Sequence, residues 1–259
     1  MYLTATSLKD YLLCPFKFKL SHIEKLRRIP PKGILAFGTV VHASIAKFFL
    51  EKVHPMNTFF SLWKEEEETE YEFSNGDNHS TLMEQGCKLL SEWHEHPETK
   101  ILVLHAVEKQ RYVEIANRVP FWSTIDFTGD EGKILLDWKT AIGKYPEHKA
   151  RLDLQLTAYA YVLAETERTP DRVGFGVLVK KKVPEIQYIF SYRTAEDLKN
   201  FERLVLKVFE EIEREEFLKI PGMHCAWCDF VGICTGEITE EEIPQKFVSY
   251  PERYSDPDF

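Results

Sequence analysis

The chain has 259 residues, 33 basic against 42 acidic side chains for a net charge of −9, and a hydrophobic share of 44%. That composition supports a sizeable core in one large domain or two small ones. The negative balance excludes broad electrostatic attraction to nucleic acid, so any such binding must use a local basic patch. No membrane-spanning run is read from the sequence, and the N-terminus lacks the basic-then-apolar order of a signal peptide, so a cytoplasmic protein is expected.

In chain order, Ser7 to Asp10 reads as a helix start, followed by an apolar stretch to Leu20 that Pro15 interrupts. Residues 17–32 are basic, through Lys17, Lys19, Lys25, Arg27, Arg28 and Lys32. Periodicity predicts a helix from about Leu35 to Lys52 and two more near 57–72 and 80–95. Residues 61–100 carry eleven acids against three bases and read as a solvated surface. From 101 the pattern becomes short runs rich in β-branched, aromatic and leucine residues: ILVLHAVEKQ, RYVEIAN, VPFWSTIDF and KILLDWK. These read as four strands, with Gly129 to Gly132 as a hairpin turn. A helix over 150–166, strands RVGFGVLV and EIQYIFSY around a Lys180–Lys182 tip, and a long helix over 194–217 follow. Helices, then strands, then helices suggest one α/β domain over 1–236, with a helical insertion near 53–100 and an acidic tail over 237–259.

Alternation along KILLDWK places Asp137 and Lys139 on one face of the strand and Leu136 and Trp138 on the other. A turn centred between Asp130 and Glu131 sets Asp126 opposite Leu135, with Asp137 its diagonal neighbour on the same face. Two such carboxylates with a nearby backbone carbonyl suit Mg²⁺ or Mn²⁺, and Lys139 beside them could orient or activate a water. A plain Asp137–Lys139 salt bridge explains the same residues. Gly38 and His42 share a helix face, as do Gln155 and Tyr159. The imidazole is either a metal ligand or a core histidine, and the amide and phenol either meet a substrate or pack in the core.

Cys225, Cys228 and Cys234 form C-x2-C-x5-C, and Cys14 is the obvious fourth ligand. Four thiolates suit Zn²⁺ or a 4Fe–4S cluster; a grouping of three plus one favours the latter. His224 is an alternative fourth ligand, and Cys87 reads as a core residue.

Taken together, GTVVH (38–42), the TID ending at Asp126, LLDWK (135–139), QLTAY (155–159) and the split cysteines resemble the PD-(D/E)XK nuclease superfamily. The resemblance is specifically to its RecB-like exonucleases with an iron–sulfur cluster, which include the AddB nuclease domain and the CRISPR-associated Cas-four nucleases. It covers 7–20, 33–50, 120–160 and 220–236. The resemblance implies a restriction-endonuclease-like α/β core, a central mixed sheet flanked by helices, with an N-terminal helical insertion and a terminus stapled by the cluster. It implies that His42, Asp126, Asp137 and the Trp138 carbonyl bind Mg²⁺ or Mn²⁺. Lys139 would position the attacking water, Gln155 and Tyr159 would steady the active-site helix and contact DNA, and Cys14, Cys225, Cys228 and Cys234 would hold 4Fe–4S. The implied function is a metal-dependent DNA exonuclease, single-stranded or end-containing duplex DNA its substrate, working in recombination, repair or CRISPR-type adaptation, with further proteins of those processes or an oligomer as partners. Lys144, Lys149 and Arg151 are candidate DNA contacts. A non-catalytic DNA-binding or assembly subunit that kept the fold, and a zinc-stabilised binding module, are the rivals.

Overall fold

A computed structural model describes residues 1–74 and 76–249. In chain order the elements are β1 (Leu3–Thr4), α1 (Ala5–Leu13), α2 (Pro15–Phe18), β2 (Leu26–Arg28), α3 (Gly33–Glu51), α4 (Pro55–Glu65), α5 (His79–Glu95), α6 (Pro97–Lys100), β3 (Leu104–Ile115), β4 (Val119–Gly129) and β5 (Ile134–Ala141). Then come α7 (His148–Leu152), α8 (Leu154–Thr166), β6 (Arg172–Val179), β7 (Glu185–Ser191), α9 (Ala195–Glu213), α10 (Val231–Thr235), α11 (Ile243–Lys246) and β8 (Phe247–Ser249). The chain divides into two compact units, one of Met1–Pro31, Tyr112–Ser123 and Lys199–Phe259, the other of Lys32–Arg111 and Thr124–Leu198.

The second unit holds a mixed sheet. β5 runs antiparallel to the end of β4 and parallel to β6, and β7 is antiparallel to β6. Gly176 lies opposite Trp138 in the β5–β6 register. A Cβ there would come within 2.1 Å of the indole, so the glycine makes room for the tryptophan that separates Asp137 from Lys139. Trp138 and Leu136 join Phe127, Phe37, Val41, Ile45 and Phe49 in one apolar cluster.

α3 buries Phe37, Val40, Val41, Ser44, Ile45 and Phe49, the spacing of a helix face turned to a core. By length and composition alone it could cross a bilayer. This corrects the expectation that no such run exists: small and weakly polar residues dilute the apolar signal without abolishing it. Its packing is that of a core helix. The acidic segment 61–100 is likewise more than a solvated surface. Trp63, Leu82, Leu89, Leu90 and Trp93 of α4 and α5 are fully or almost fully buried in the same cluster, and the acids occupy the outward faces.

Two further expectations change. The runs at 101–110 and 111–117 form the single strand β3, because the positive φ of Glu108 (48°) puts an irregularity inside the strand without ending it. The helix expected over 150–166 is broken at Asp153, whose backbone is extended and whose side chain caps α8 by accepting from Leu156 N–H at 3.0 Å. The buried Arg193 guanidinium donates to the carbonyls of Ala150 (2.8 Å) and Asp153 (3.0 Å), two acceptors at that break.

In the first unit, β1 pairs in parallel with the start of β4. Helix α1 begins before the expected Ser7: Thr4 is its cap, accepting from Ser7 N–H at 3.1 Å, while Ser7 Oγ accepts from Thr4 N–H at 2.8 Å. Cys14 ends α1 in extended backbone, and Pro15 starts the next helix. Residues 243–249 of the expected tail are structured. Phe247 is buried with Leu20 and Phe230, and β8 pairs antiparallel with β2. Residues 250–259 of that tail lie outside the described residues.

Candidate active site

The β4–β5 hairpin determines which carboxylates can meet. Its observed pairs are Phe127 with Leu136, Thr128 with Leu135 and Gly129 with Ile134. Each sums to 263, so Leu135 faces Thr128 and not Asp126, and the register continued one pair past the ladder would set Asp126 opposite Asp137. The expectation was two residues out because the turn is longer: Asp130, Glu131 and Gly132 all take positive φ (48°, 57° and 83°). A two-residue shift preserves the face, so the two aspartates still share one side of the strands.

Asp126 Oδ2 accepts the Trp138 N–H at 2.8 Å and lies 3.3 Å from His42 Nδ1. The carboxylate thereby takes the place of a ladder acceptor and ties β4 to β5 at the point where α3 presents its histidine. Burial pushes the His42 imidazole down, but the hydrogen bond and charge of Asp126, with the charge of Asp137, outweigh it and the pKa is raised. Gly38, one turn earlier, is less demanding than its motif implies. A Cβ there would meet only Thr140 Oγ1, at 4.0 Å, an ordinary contact.

Asp137 is 1% exposed. Its Oδ2 stands 2.5 Å from Lys139 Nζ, yet neither oxygen has a hydrogen-bond partner in good alignment. Burial pushes its pKa up to about 6; Lys139 opposes the shift and Asp126 adds to it. The contact is therefore a close charge pairing at one oxygen that leaves Oδ1 without a hydrogen bond, a buried acceptor that a hard cation could use. The Lys139 ammonium is destabilised by burial but held above its ordinary pKa by Asp137 and Asp126. It donates at 3.4 Å to Gln155 Oε1, and Gln155 Nε2 donates at 2.8 Å to the hydroxyl of buried Tyr159. The salt bridge and the site are thus the same atoms: Asp137–Lys139 is an ion pair buried at its acidic end, linked through Gln155 to α8.

One residue absent from the expectations joins this group. Ligand atoms of His42, Glu108 and Asp126 lie within 4.8 Å of one another, the one such set of three among the described residues. Glu108 sits where β3 takes its positive φ. In sequence it is one acid in the polar run Glu-Lys-Gln-Arg, and no periodicity distinguishes it. Asp137 is outside that trio, and its nearest charge is Lys139. Of the three expected DNA contacts nearby, Lys144 is paired with Glu185 at 2.8 Å and Arg151 with both oxygens of Asp197 at 3.0 Å. Lys149 instead lies over the Tyr145 ring, 3.5 Å from its centroid.

Cys14, Cys225, Cys228 and Cys234 all belong to the first unit, and all are free thiols. Cys225 Sγ accepts from Gly222 N–H at 3.4 Å. The Cys228 thiol is pushed up chiefly by burial, and Cys14, distant in sequence, adds to the shift. No three of the four thiols lie within 4.8 Å of one another. Thiolates on one tetrahedral zinc would be about 3.8 Å apart, given Zn–S of about 2.3 Å, so a closed zinc tetrahedron is not preformed.

Among curated proteins none matches the chain. Of solved structures, a candidate exonuclease from Eubacterium rectale superposes with a TM-score of 0.59 at 13% identity, covering 88% of this chain and 86% of the other; at that identity the likeness concerns the fold. The family model of the PD-(D/E)XK nuclease superfamily matches residues 2–235, nearly the whole chain including every strand of the site, and the protein belongs to that superfamily.

Proposed function

We propose that the protein is a divalent-metal-dependent deoxyribonuclease that hydrolyses phosphodiester bonds from a DNA end. The observation that carries this reading is the Asp137 carboxylate, 1% exposed and paired with Lys139 at 2.5 Å, beside the convergence of His42, Glu108 and Asp126. The donor set of one imidazole nitrogen and several carboxylate oxygens fits Mg²⁺ or Mn²⁺. His42, Asp126, Asp137 and the Trp138 carbonyl would hold the cation, with Glu108 beside them. When bound, such an ion polarises the scissile phosphate and eases deprotonation of water. Lys139, held protonated by its two aspartates, donates a hydrogen bond to the attacking water or to the phosphate and does not act as the base. Gln155 fixes the ammonium and buried Tyr159 fixes Gln155, so of the two Gln155 is the one assigned a contact to the incoming strand. Recombination, repair or CRISPR-type adaptation is the setting that a RecB-like enzyme implies.

Digestion of an end-labelled oligonucleotide with Mg²⁺, Mn²⁺ or chelator tests this. Metal-dependent shortening from an end, abolished by Lys139→Ala, is expected. Equal digestion by Lys139→Ala and parent contradicts it.

The four cysteines are assigned to a 4Fe–4S cluster of structural role. Supporting this are the three-plus-one spacing, the electrostatic reach of Cys14 to Cys228, and the N–H donor aimed at Cys225 sulfur. A cluster places its thiolates on four separate irons, so they need not crowd as on one zinc ion. An anaerobic preparation that is brown and holds iron and sulfide supports the assignment. A colourless one with stoichiometric zinc removes it.

A further inference from the structure

The link between the strand bearing Asp137 and Lys139 and helix α7 carries Tyr145, a residue that the hydrolysis as derived above does not use. Its backbone is pinned from both sides by one side chain. Tyr145 N–H donates to Gln187 Oε1 at 2.8 Å, and Gln187 Nε2 donates to the Tyr145 carbonyl at 2.9 Å. Its ring stands edge-on to Phe175 at 5.6 Å, and Phe175 is the β6 neighbour of Asp137. The ring is therefore held in place by β6 and β7, in a link that otherwise lacks regular structure.

The phenol lies within electrostatic reach of the site. After burial, the groups that act on its hydroxyl are Lys139, Asp137 and Asp153, in that order. Two of these are the reacting pair of charges, and the third caps the helix carrying Gln155 and Tyr159. Among the described residues the Tyr145 hydroxyl has no hydrogen-bond partner. On the face of the same ring rests Lys149, 3.5 Å from the centroid. Lys144 and Arg151, its basic neighbours in sequence, are engaged by Glu185 and Asp197. Lys149 has no carboxylate within salt-bridge distance among the described residues. A cation–π contact fixes an ammonium more loosely than a carboxylate does, so this charge stays available to a stronger anion.

We propose that Tyr145 and Lys149 form a preset phosphate clamp on the nucleic-acid strand beside the scissile bond, the phenol donating to a phosphate oxygen and the ammonium pairing with the strand's backbone. The clamp rests on the nuclease reading and deepens it. It supplies local attraction for a polyanion on a chain of net charge −9, and it recognises phosphate without reading bases. Both are positioning residues for the strand and act on neither the water nor the cation.

The two groups predict different signatures. Lys149→Gln keeps the stem and removes the charge. Binding of a fluorescent single-stranded oligonucleotide, measured in Ca²⁺ to suppress cleavage, should weaken several-fold at low salt, and the slope of log K against log salt should lose about 0.7, the single-strand value for one phosphate contact. Tyr145→Phe keeps the ring, the Phe175 contact and the seat of Lys149. It should leave that slope at the parent value and lower kcat/KM for cleavage in Mn²⁺ roughly 10-fold, the loss of one hydrogen bond to a charged group. Mn²⁺ affinity measured without DNA should match the parent in both variants. A parent-like slope in Lys149→Gln, or kcat/KM within two-fold of parent in Tyr145→Phe, overturns the clamp while leaving the nuclease reading intact. Loss of Mn²⁺ affinity in either variant also overturns it, because the residue would then be supporting the metal site. A parent that neither binds nor cuts the strand overturns both proposals.

Discussion

Around Asp126 and Asp137 the backbone is regular. Paired strands and helices of 19 and 13 residues hold the side chains, and His42, Asp126, Asp137, Lys139, Gln155 and Tyr159 already interact with one another. Around the cysteines it is not. Cys225 lies in a five-residue 3₁₀ turn, Cys228 ends it, and Cys234 sits in a five-residue helix; the nearby apolar cluster centres on three buried residues. The first region takes its geometry from a core made for other reasons, and its charges already compensate one another. The second has little packing of its own, and with the proposed cluster its order would depend on what the thiols hold. Changes in the carboxylate site should therefore cost activity and little stability, and changes at the thiols the reverse.

The largest expected effect is on chemistry. Lys139→Ala should lower kcat roughly 100- to 1,000-fold, the usual loss for one group stabilising developing charge, while the protein stays folded at the assay temperature, the buried Asp137 taking up a proton when its ammonium partner is gone. Matched losses in activity and melting temperature would break the contrast. Next is Cys14→Ser, which should speed amide hydrogen exchange over 223–235 by about 100-fold, an opening of about 2.7 kcal/mol, with exchange around Asp137 unchanged; uniform acceleration would make the two regions one cooperative structure. Glu108→Gln sharpens the role of the strand irregularity. It should weaken Mn²⁺ binding about 10-fold, as loss of a coordinating or supporting group does, measured by Mn²⁺ titration.

The smallest effect concerns stability within the unit that holds the carboxylates. Glu167 pairs with Arg111 at 2.8 Å, Lys109 at 3.1 Å and His105 at 3.4 Å, and the Arg111 side chain is 3% exposed. Burial raises the Glu167 pKa, but Lys109 and Arg111 outweigh it and the value in the folded chain is lowered from 4.5. Its contribution is thus full above the unfolded pKa and is lost as pH falls through the folded one. Glu167→Gln should cost about 1 kcal/mol at pH 7, since the carboxylate is partly exposed and its pairings screened. Urea unfolding should show the difference shrinking as pH drops below about 4.5.

The elements near the site were readable because their residues obey one period each. The i, i+3, i+4 stripe of α3 from Phe37 to Phe49 and the alternation of Leu136, Asp137, Trp138 and Lys139 leave one sensible orientation apiece. What escaped depends on backbone torsion, which residue type records weakly. Three consecutive positive φ values lengthened the hairpin turn by two residues, and one at Glu108 kept β3 whole and put an unforeseen carboxylate near His42. The break before α8 rests on Arg193, forty residues beyond Asp153, so no local pattern announces it. Tyr145 is invisible for a similar reason: the Gln187 side chain that pins it comes from β7, and only folding brings the two together.

On the proposed reading, His42, Asp126 and Asp137 together hold one divalent cation. Electron paramagnetic resonance titration of Mn²⁺ into the parent and into Asp126→Asn, without DNA, tests it directly. Saturable binding to the parent, competed by Mg²⁺ and lost in the folded variant, is the predicted result. Equal binding by the two proteins, or no saturable binding by the parent, would contradict the account.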